Sequence, residues 1–389
     1  MNIEKLSLYA TERQKEILNV IQSEGNETKA AKKLGVNVST VNKAYKAVKY
    51  KAAMQGWSPE HTMVHTVPDG FKIKGTSTLY DMDTGAAKIQ WVKSSADKER
   101  QEAIFLEALE GFADAIPRSE KIKPPELTDD NLLACYPVGD HHFGMLSWHE
   151  ETGDDYDLSI AENLLRRSID YLIESAPHAE IALVAILGDF MHYDSFEAVT
   201  PAHKNLLDAD SRFPKMVRAA IKTLRYMIAQ CLLKHEKVHV IIEIGNHDPS
   251  SSIFLMECFH NLYEHEPRVI IDRSPSHFHY YRFGKVLIGT HHGDKVKSEK
   301  LPMIMATDRS KDWGETEYRY WWTGHIHHDS VKEFTGCKTE SFRVLAPLDA
   351  YAANAGYRSG RDMKAIIMHK EYGEVGRFIV NHKMLEELK

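Results

Sequence analysis

Five apolar, strand-length runs in this chain end alike. Residues 132–138, 181–187, 238–244, 286–288 and 318–322 each lead into a glycine beside Asp, Asn or His. The endings are Gly139-Asp140-His141-His142, Gly188-Asp189, Gly245-Asn246-His247-Asp248, Thr290-His291-His292-Gly293-Asp294 and Gly324-His325-Ile326-His327. Strands that are apolar along their length are buried on both faces. Residues just past their ends would therefore gather along one edge, bringing together two aspartates, an asparagine and at least four histidines.

Elsewhere the period changes. Residues 158–175 carry Leu158, Ala161, Leu165, Ile169 and Leu172 at helical spacing, and 215–233 predict a second long helix; both read as cover for a core. After Gly293 the pattern predicts strands through Phe378. Ahead of this body, 11–23 predicts a helix with Ile17, Val20 and Ile21 on one face, and 27–34 a second helix closed by Gly35. A third is predicted over 39–51, with Ser39 as N-cap and Val41, Ala44 and Val48 inward. Residues 71–80 and 87–93 flank Asp83-Thr84-Gly85 and predict a β-hairpin, with Lys72, Lys74, Trp91 and Lys93 along it. A helix over 97–116 presents Ile104, Phe105, Leu109, Phe112 and Ile116, a face for docking on the body or for pairing two copies of the chain. Residues 117–130, with Pro124-Pro125, read as a linker.

Charge divides the chain where the pattern does. Residues 1–53 hold ten Lys and Arg against five Glu, net +5, which leaves −12 of the overall −7 to the remainder. A basic head on an acidic body suggests that the head meets a polyanion. The 43% apolar content over 389 residues suffices for a sizeable core and more than one domain. Cys135, Cys231, Cys258 and Cys337 are too scattered for a disulfide framework or a zinc knuckle, so reduced thiols and a cytoplasmic setting are expected. No apolar stretch approaches the ~20 residues of a membrane span, and the polar start is unlike a signal peptide.

Oxygen and imidazole donors without thiolate suit Mn, Fe, Zn or Ni. A carboxylate such as Asp189 can bridge two ions roughly 3.5–4 Å apart, the spacing used to clamp both oxygens of a phosphoryl displacement. In this order, Asp-x-His, Gly-Asp, Gly-Asn-His-Asp, His-Gly and Gly-His-x-His resemble the calcineurin-like metallophosphoesterase family over about 131–374. The resemblance implies an α/β fold, a four-layer αββα sandwich, here preceded by the small all-α head and the hairpin region. The division is then a helix-turn-helix domain over 1–55, hairpin and connecting helix over 56–116, linker over 117–130, and the phosphoesterase over 131–389. It further implies two divalent metal ions, Mn first among the candidates. Asp140, His142, Asp189 and His327 would hold one, and Asp189, Asn246, His292 and His325 the other, with a water activated between them as nucleophile. His247 would donate a proton to the leaving oxygen and Asp248 would orient it.

Where many members continue Gly-Asp-x-x-Asp, this chain has Gly188-Asp189-Phe190-Met191-His192. His192 resembles the branch of nucleases that process double-strand breaks, although the ATPase-binding C-terminal region of that branch is not found. The head resembles helix-turn-helix DNA-binding domains, with Thr40, Asn42, Lys43 and Lys46 toward the major groove. The whole arrangement resembles proteins encoded by bacteriophages and prophages, which points to the cytoplasm of a bacterial host. Arg358 and Arg361, in Gly356-Tyr357-Arg358-Ser359-Gly360-Arg361, are candidates for gripping phosphate; the alternative is surface pairing with Asp362 or Glu374. The reading that combines these is a DNA nuclease delivered by its head. The competing readings are a phosphodiesterase or phosphatase for a nucleotide messenger or small phosphoester, a protein phosphatase, and a DNA-binding regulator with an inert body. The complete ligand set weighs against the last, and the basic head against the protein phosphatase.

Overall fold

The computed structural model describes residues 6–54, 71–80, 87–96 and 122–387. The chain divides into two compact units, Met1–Gly111 and Phe112–Lys389.

In the first unit, α1 (Glu12–Glu24) is capped by Thr11, which accepts from Gln14 N–H while Gln14 accepts from Thr11 N–H. Asn26 caps α2 (Glu27–Leu34), and Gly35, at φ +65°, turns the chain toward α3 (Val38–Met54). Ser39 is not the N-cap of α3. The helix begins one residue earlier, where Thr40 N–H is taken by the Asn37 carbonyl. Ile17, Leu18, Ile21, Ala30, Ala31, Val41, Tyr45 and Val48 form one buried cluster, so the 3.6-residue period meets on a common axis. Strands β1 (Phe71–Tyr80) and β2 (Ala87–Ala96) pair antiparallel, as the hairpin pattern predicts. The turn between them and the helix expected over 97–116 lie outside the described residues.

Among its described residues the second unit holds two sheets. The larger has the order β13 (Gly373–Asn381), β12 (Asp362–His369), β3 (Asp129–Val138), β4 (Ala179–Ile186), β5 (Lys237–Ile242), β6 (Val269–Ile271), with β3 to β6 parallel. The smaller has the order β10 (Ser330–Phe334), β11 (Cys337–Ser341), β9 (Tyr318–Thr323), β8 (Val286–His291), β7 (His279–Phe283), with β8, β9 and β11 parallel. Strand β3 takes in Asp129 and Asp130, so the expected linker ends earlier than its composition suggests. One buried cluster joins Leu133, Leu183 and Ile241 of the larger sheet to Val286, Ile288 and Trp322 of the smaller. Each such fully buried aliphatic side chain contributes roughly 1.5–3 kcal/mol relative to exposure.

The short α4 (His149–Thr152) leads to α5 (Leu158–Ser175), which is capped by Asp157 and buries all five residues at the expected spacing; with α6 (Phe213–Lys234) it lies on the larger sheet. Helix α7 (Pro249–Leu262) follows β5. The stretch after Gly293 is not all strand. Helices α8 (Leu301–Asp308) and α9 (Ser310–Glu315) intervene, and Leu301 and Met305 pack on Leu287 and Trp321 of the smaller sheet. The sequence of α8 carries almost no amphipathic signal, because it is apolar on most sides. Two shorter helices, α10 (Ala350–Asn354) and α11 (His382–Glu387), complete the unit.

Candidate metal centre

Parallel strands end level with one another, and the candidate residues sit on the turns beyond. Val138 pairs with Ile186 and Ile186 with Ile242 in one sheet, and His291 with Thr323 in the other. The turns are laced together: His142 N–H donates to the Asp189 carbonyl at 3.0 Å, and Gly324 N–H to the His292 carbonyl at 2.9 Å.

The glycines of the repeated pattern have a steric cause. A Cβ on Gly245 would collide with the Asp189 backbone and carboxylate, and one on Gly324 with the Asp140 carboxylate. The turns bearing the candidate residues are thus packed against each other more tightly than any side chain permits. The backbone is also bent to aim these side chains. His142, Asp189, His325 and His327 all have positive φ, between 46° and 67°, and the only other non-glycine residue like this among the described residues is Lys204. Each costs on the order of 1–3 kcal/mol, and such conformations persist where the surroundings over-determine them, commonly at functional sites.

Two groups result. Asp140, His142 and His327 present donor atoms within 4.8 Å of one another, as do Asp189, His292 and His325. His327 Nε2 lies 2.9 Å from Asp140 Oδ2 and 3.4 Å from His142 Nε2. His292 donates through Nδ1 to the Leu187 carbonyl at 2.8 Å, which turns Nε2 toward Asn246 Oδ1 at 2.8 Å and Asp189 Oδ2 at 3.2 Å. Such a backbone contact at the far nitrogen is the usual way an imidazole ligand is oriented. Asp189 falls in the second group. His291 lies outside both: its Nδ1 accepts from Gly293 N–H at 2.8 Å and its ring stacks on Phe278.

The residues fit divalent cations. The Asp140 and Asp189 carboxylates are 0% and 2% exposed, and buried carboxylates demand positive charge. Burial works against the charged form of Asp189, yet the charge of His292 and its hydrogen bond outweigh it and hold the carboxyl well below its usual range. For His292 burial is likewise outweighed, here by Asp189 and Asp140, which raise it well above the ordinary imidazole value. His142 goes the other way: burial, then His247, His192 and His327, pull it well below the ordinary imidazole value. An all-oxygen and imidazole set of this kind suits Mn, Fe, Zn or Ni.

Around these groups lie the other candidates. His247 N–H donates to Asp189 Oδ1 at 2.7 Å, and its Nδ1 donates to the His192 carbonyl at 2.8 Å. Its ring centroid stands 4.9 Å from that of His142. Asp248 does not orient His247. Its carboxylate is fully buried beneath the turn and accepts Met191 N–H at 2.9 Å, and burial followed by the neighbouring Asp189 pushes it up to about 8. The backbone carbonyl of His192 does the orienting instead. The His192 side chain is itself buried, its Nδ1 3.2 Å from that of His142, and burial followed by His247 takes it down to about 3.

Arg358 and Arg361 part company. Arg361 is tied down by Asp154 at 3.0 Å and by the Leu345 carbonyl at 2.8 Å. Among the described residues Arg358 hydrogen-bonds only to the carbonyls of Ala353 and Tyr357. Neither meets Asp362 or Glu374, which serve Arg343 and, for Glu374, Lys338 and Arg377. Both arginines line a cleft of about 1170 Å³ together with His142, Asp189, Asn246, His247, His325 and His327. The sequence pattern gave no weight to Tyr351 and Tyr357, which line the same cleft; their signal was two aromatics within a polar, glycine-containing stretch. In the first unit Thr40, Asn42, Lys43 and Lys46 are exposed on α3.

No protein-family model and no curated protein matches the chain. Among solved structures it is similar to an archaeal phosphodiesterase, with 14% identity over 64% of this chain and 99% of that one, TM-score 0.32. A dimetal phosphatase from Danio rerio is similar at 8% identity, covering 65% and 100%, TM-score 0.34. Vps29 complexed with zinc, from Entamoeba histolytica, shows 13% identity, covering 64% and 98%, TM-score 0.27. At such values the assignment rests on the site itself.

Proposed function

We propose that this chain is a two-metal phosphodiesterase acting on DNA, delivered by its N-terminal unit. The observation that carries this is the pair of adjacent Asp/His groups at the shared edge of the two sheets, each assembled from different strand ends. We also read the packing of helices outside two facing sheets as the four-layer sandwich of the metallophosphoesterases, and the first unit as a helix-turn-helix.

On this reading Asp140, His142 and His327 hold one cation and Asn246, His292 and His325 the other, with Asp189 serving both. Bound there, the cations would supply Lewis-acid charge on the phosphoryl oxygens and lower the pKa of water. The protein's own contribution is positional. A water oxygen gives up a proton to solvent and forms its bond to phosphorus as the bond to the leaving oxygen breaks, and His247, acting as the imidazolium with both ring nitrogens protonated, delivers its Nε2 proton to that oxygen. Nε2 is the nitrogen left for this task because Nδ1 is engaged by the His192 carbonyl. His192 backs His142 and fixes His247 in place through that carbonyl. Asp248 braces the turn bearing Met191.

The exposed Thr40, Asn42, Lys43 and Lys46 support DNA as the substrate, since a basic helix face answers phosphate. Incubating the purified chain and Mn²⁺ with labelled single- and double-stranded DNA, and separately with a cyclic-dinucleotide panel, tests the assignment. Cleavage of DNA is the expected result. Turnover of cyclic dinucleotides with intact DNA would transfer the centre to messenger hydrolysis.

A further inference from the structure

The cleft that contains the metal centre has a second wall, and that wall is chemically unlike the first. It is built by α10 and the turn that follows, and it displays Tyr351 at 75% and Tyr357 at 59% exposure. Large aromatic rings left open inside a cleft are uncommon, because burying either would gain more than most contacts in a core. Neither ring has a stacking partner among the described residues. The helix beneath them is fixed: Asp349 caps α10 by accepting Ala352 N–H at 2.7 Å, and Tyr357 N–H donates to the Ala352 carbonyl at 3.1 Å. Gly356, at φ +81°, makes the turn that brings Tyr357 and Arg358 round to the cleft.

Arg358 completes the wall. Its guanidinium touches backbone carbonyls alone, and no carboxylate among the described residues lies within ion-pair distance. Arg361, three residues on, is neutralised by Asp154. One of the two positive charges therefore remains for a ligand. Two open π-faces and an unpaired guanidinium beside a phosphoester centre match one ligand chemistry: nucleobases that stack, joined by a phosphate that the arginine forks. A cleft of about 1170 Å³ exceeds what a single nucleotide needs. A base inside a duplex offers no free face for stacking.

We propose that Tyr351, Tyr357 and Arg358 form a subsite that takes unpaired nucleotides of a DNA strand and leads that strand to the metal centre. This deepens the phosphodiesterase reading and rests on it for the chemistry, but not for the binding. The test uses the full chain. Fluorescence anisotropy with a labelled oligothymidylate and with an abasic oligonucleotide of equal length measures binding without turnover. Steady-state hydrolysis of bis(p-nitrophenyl) phosphate with Mn²⁺ measures the centre.

Tyr351→Leu and Tyr357→Leu should each weaken oligothymidylate binding roughly ten-fold, in keeping with base stacking on an aromatic ring. Tyr→Phe at either position should retain most of it, since the ring stays. The abasic strand should bind wild type weakly and be indifferent to the tyrosine changes. Arg358→Gln should weaken both strands. Hydrolysis of the small diester should stay within two-fold in the tyrosine variants. Oligothymidylate binding unchanged by the leucine variants, or abasic DNA bound as tightly as the thymidylate, overturns the subsite. So does an equal loss on the small diester, which would mean that the centre had been disturbed. If thymidine monophosphate binds as tightly as the oligonucleotide and responds equally to the variants, the site belongs to free nucleotides and the strand assignment fails. Absence of any hydrolysis by the wild-type chain defeats the phosphodiesterase reading instead, and anisotropy still decides the subsite.

Discussion

The two units solve opposite problems with their polar residues. In the first, apolar side chains of three short helices meet inside and every candidate functional residue, Thr40, Asn42, Lys43 and Lys46, remains in solvent. In the second, the heart of the candidate site is buried: Asp140, His142, Asp189, His192, Asp248 and His292 are all less than 5% exposed, whereas Asn246, His247 and His327 are half-buried and His325 is exposed at the mouth. An exposed charge interacts weakly, is screened and acts by addition. A buried one is expensive unless fully partnered, so its surroundings must be built around it. The lesson is that single substitutions should be decisive in the body and incremental in the head.

Asp189→Asn should show the largest effect. Asp189 accepts His247 N–H, faces His292 and is proposed to serve both cations, so bound metal should fall from two ions per chain and phosphodiesterase activity should vanish. Two metals retained, as counted by elemental analysis, would refute the shared role.

His247→Ala comes next. Loss of a proton donor typically costs about 10²–10⁴-fold, and the loss should be large for DNA, whose leaving oxygen is a poor one, and small for a nitrophenyl diester. Metal content should not change. Equal losses on both substrates would remove His247 from proton transfer.

A buried imidazole remote from the centre sharpens the contrast through stability. His235 is enclosed, its Nδ1 2.8 Å from the Ala179 carbonyl and its Nε2 2.9 Å from the Tyr136 hydroxyl. Burial takes it from an ordinary 6.5 down to about 4. The unfolded chain therefore binds this proton at a higher pH than the folded one. The associated stability is complete above pH 6.5 and is lost as pH falls toward 4, on the order of 3 kcal/mol in all. Denaturant unfolding at pH 7 and pH 4.5 should show the loss, and His235→Gln should lessen it. An unchanged pH dependence in that variant would assign the effect to other histidines that burial pulls down, such as the buried His141 and the half-buried His239.

The smallest effects belong to the head. Lys43→Ala and Lys46→Ala should each remove about 0.9 from the log–log salt slope of DNA binding, additively, with no change in turnover of a small diester. A slope identical to wild type would reduce the three helices to a bundle without a DNA-reading face.

By itself the sequence determined a good deal. Alternation of apolar and polar residues at a 3.6 period placed α1, α2 and α5 within a residue or so, because burying one face needs that spacing. The apolar runs located β3, β4, β5, β8 and β9, because strands covered on both faces leave no polar position. Their shared glycine endings pointed to the metal candidates, because turns packed this closely exclude a Cβ. Tertiary structure decided the rest. Which strands belong to which sheet cannot be read from a local pattern, since Val286 and Leu183 are equally apolar and become neighbours only when the two sheets face each other. Helix α8 was hidden because a short segment that is apolar on most sides carries no period, and α9 because six mostly polar residues are too few to show one. The start of α3 was set by Asn37 rather than by the better-looking cap Ser39. The turn geometry took the orienting of His247 from its neighbour Asp248 and gave it to the carbonyl of His192, 55 residues away. Arg358 and Arg361 look equivalent in sequence; they differ only because folding brings Asp154 to one of them. A side chain's chemistry is local to it, but its partners come from wherever the fold has carried the rest of the chain.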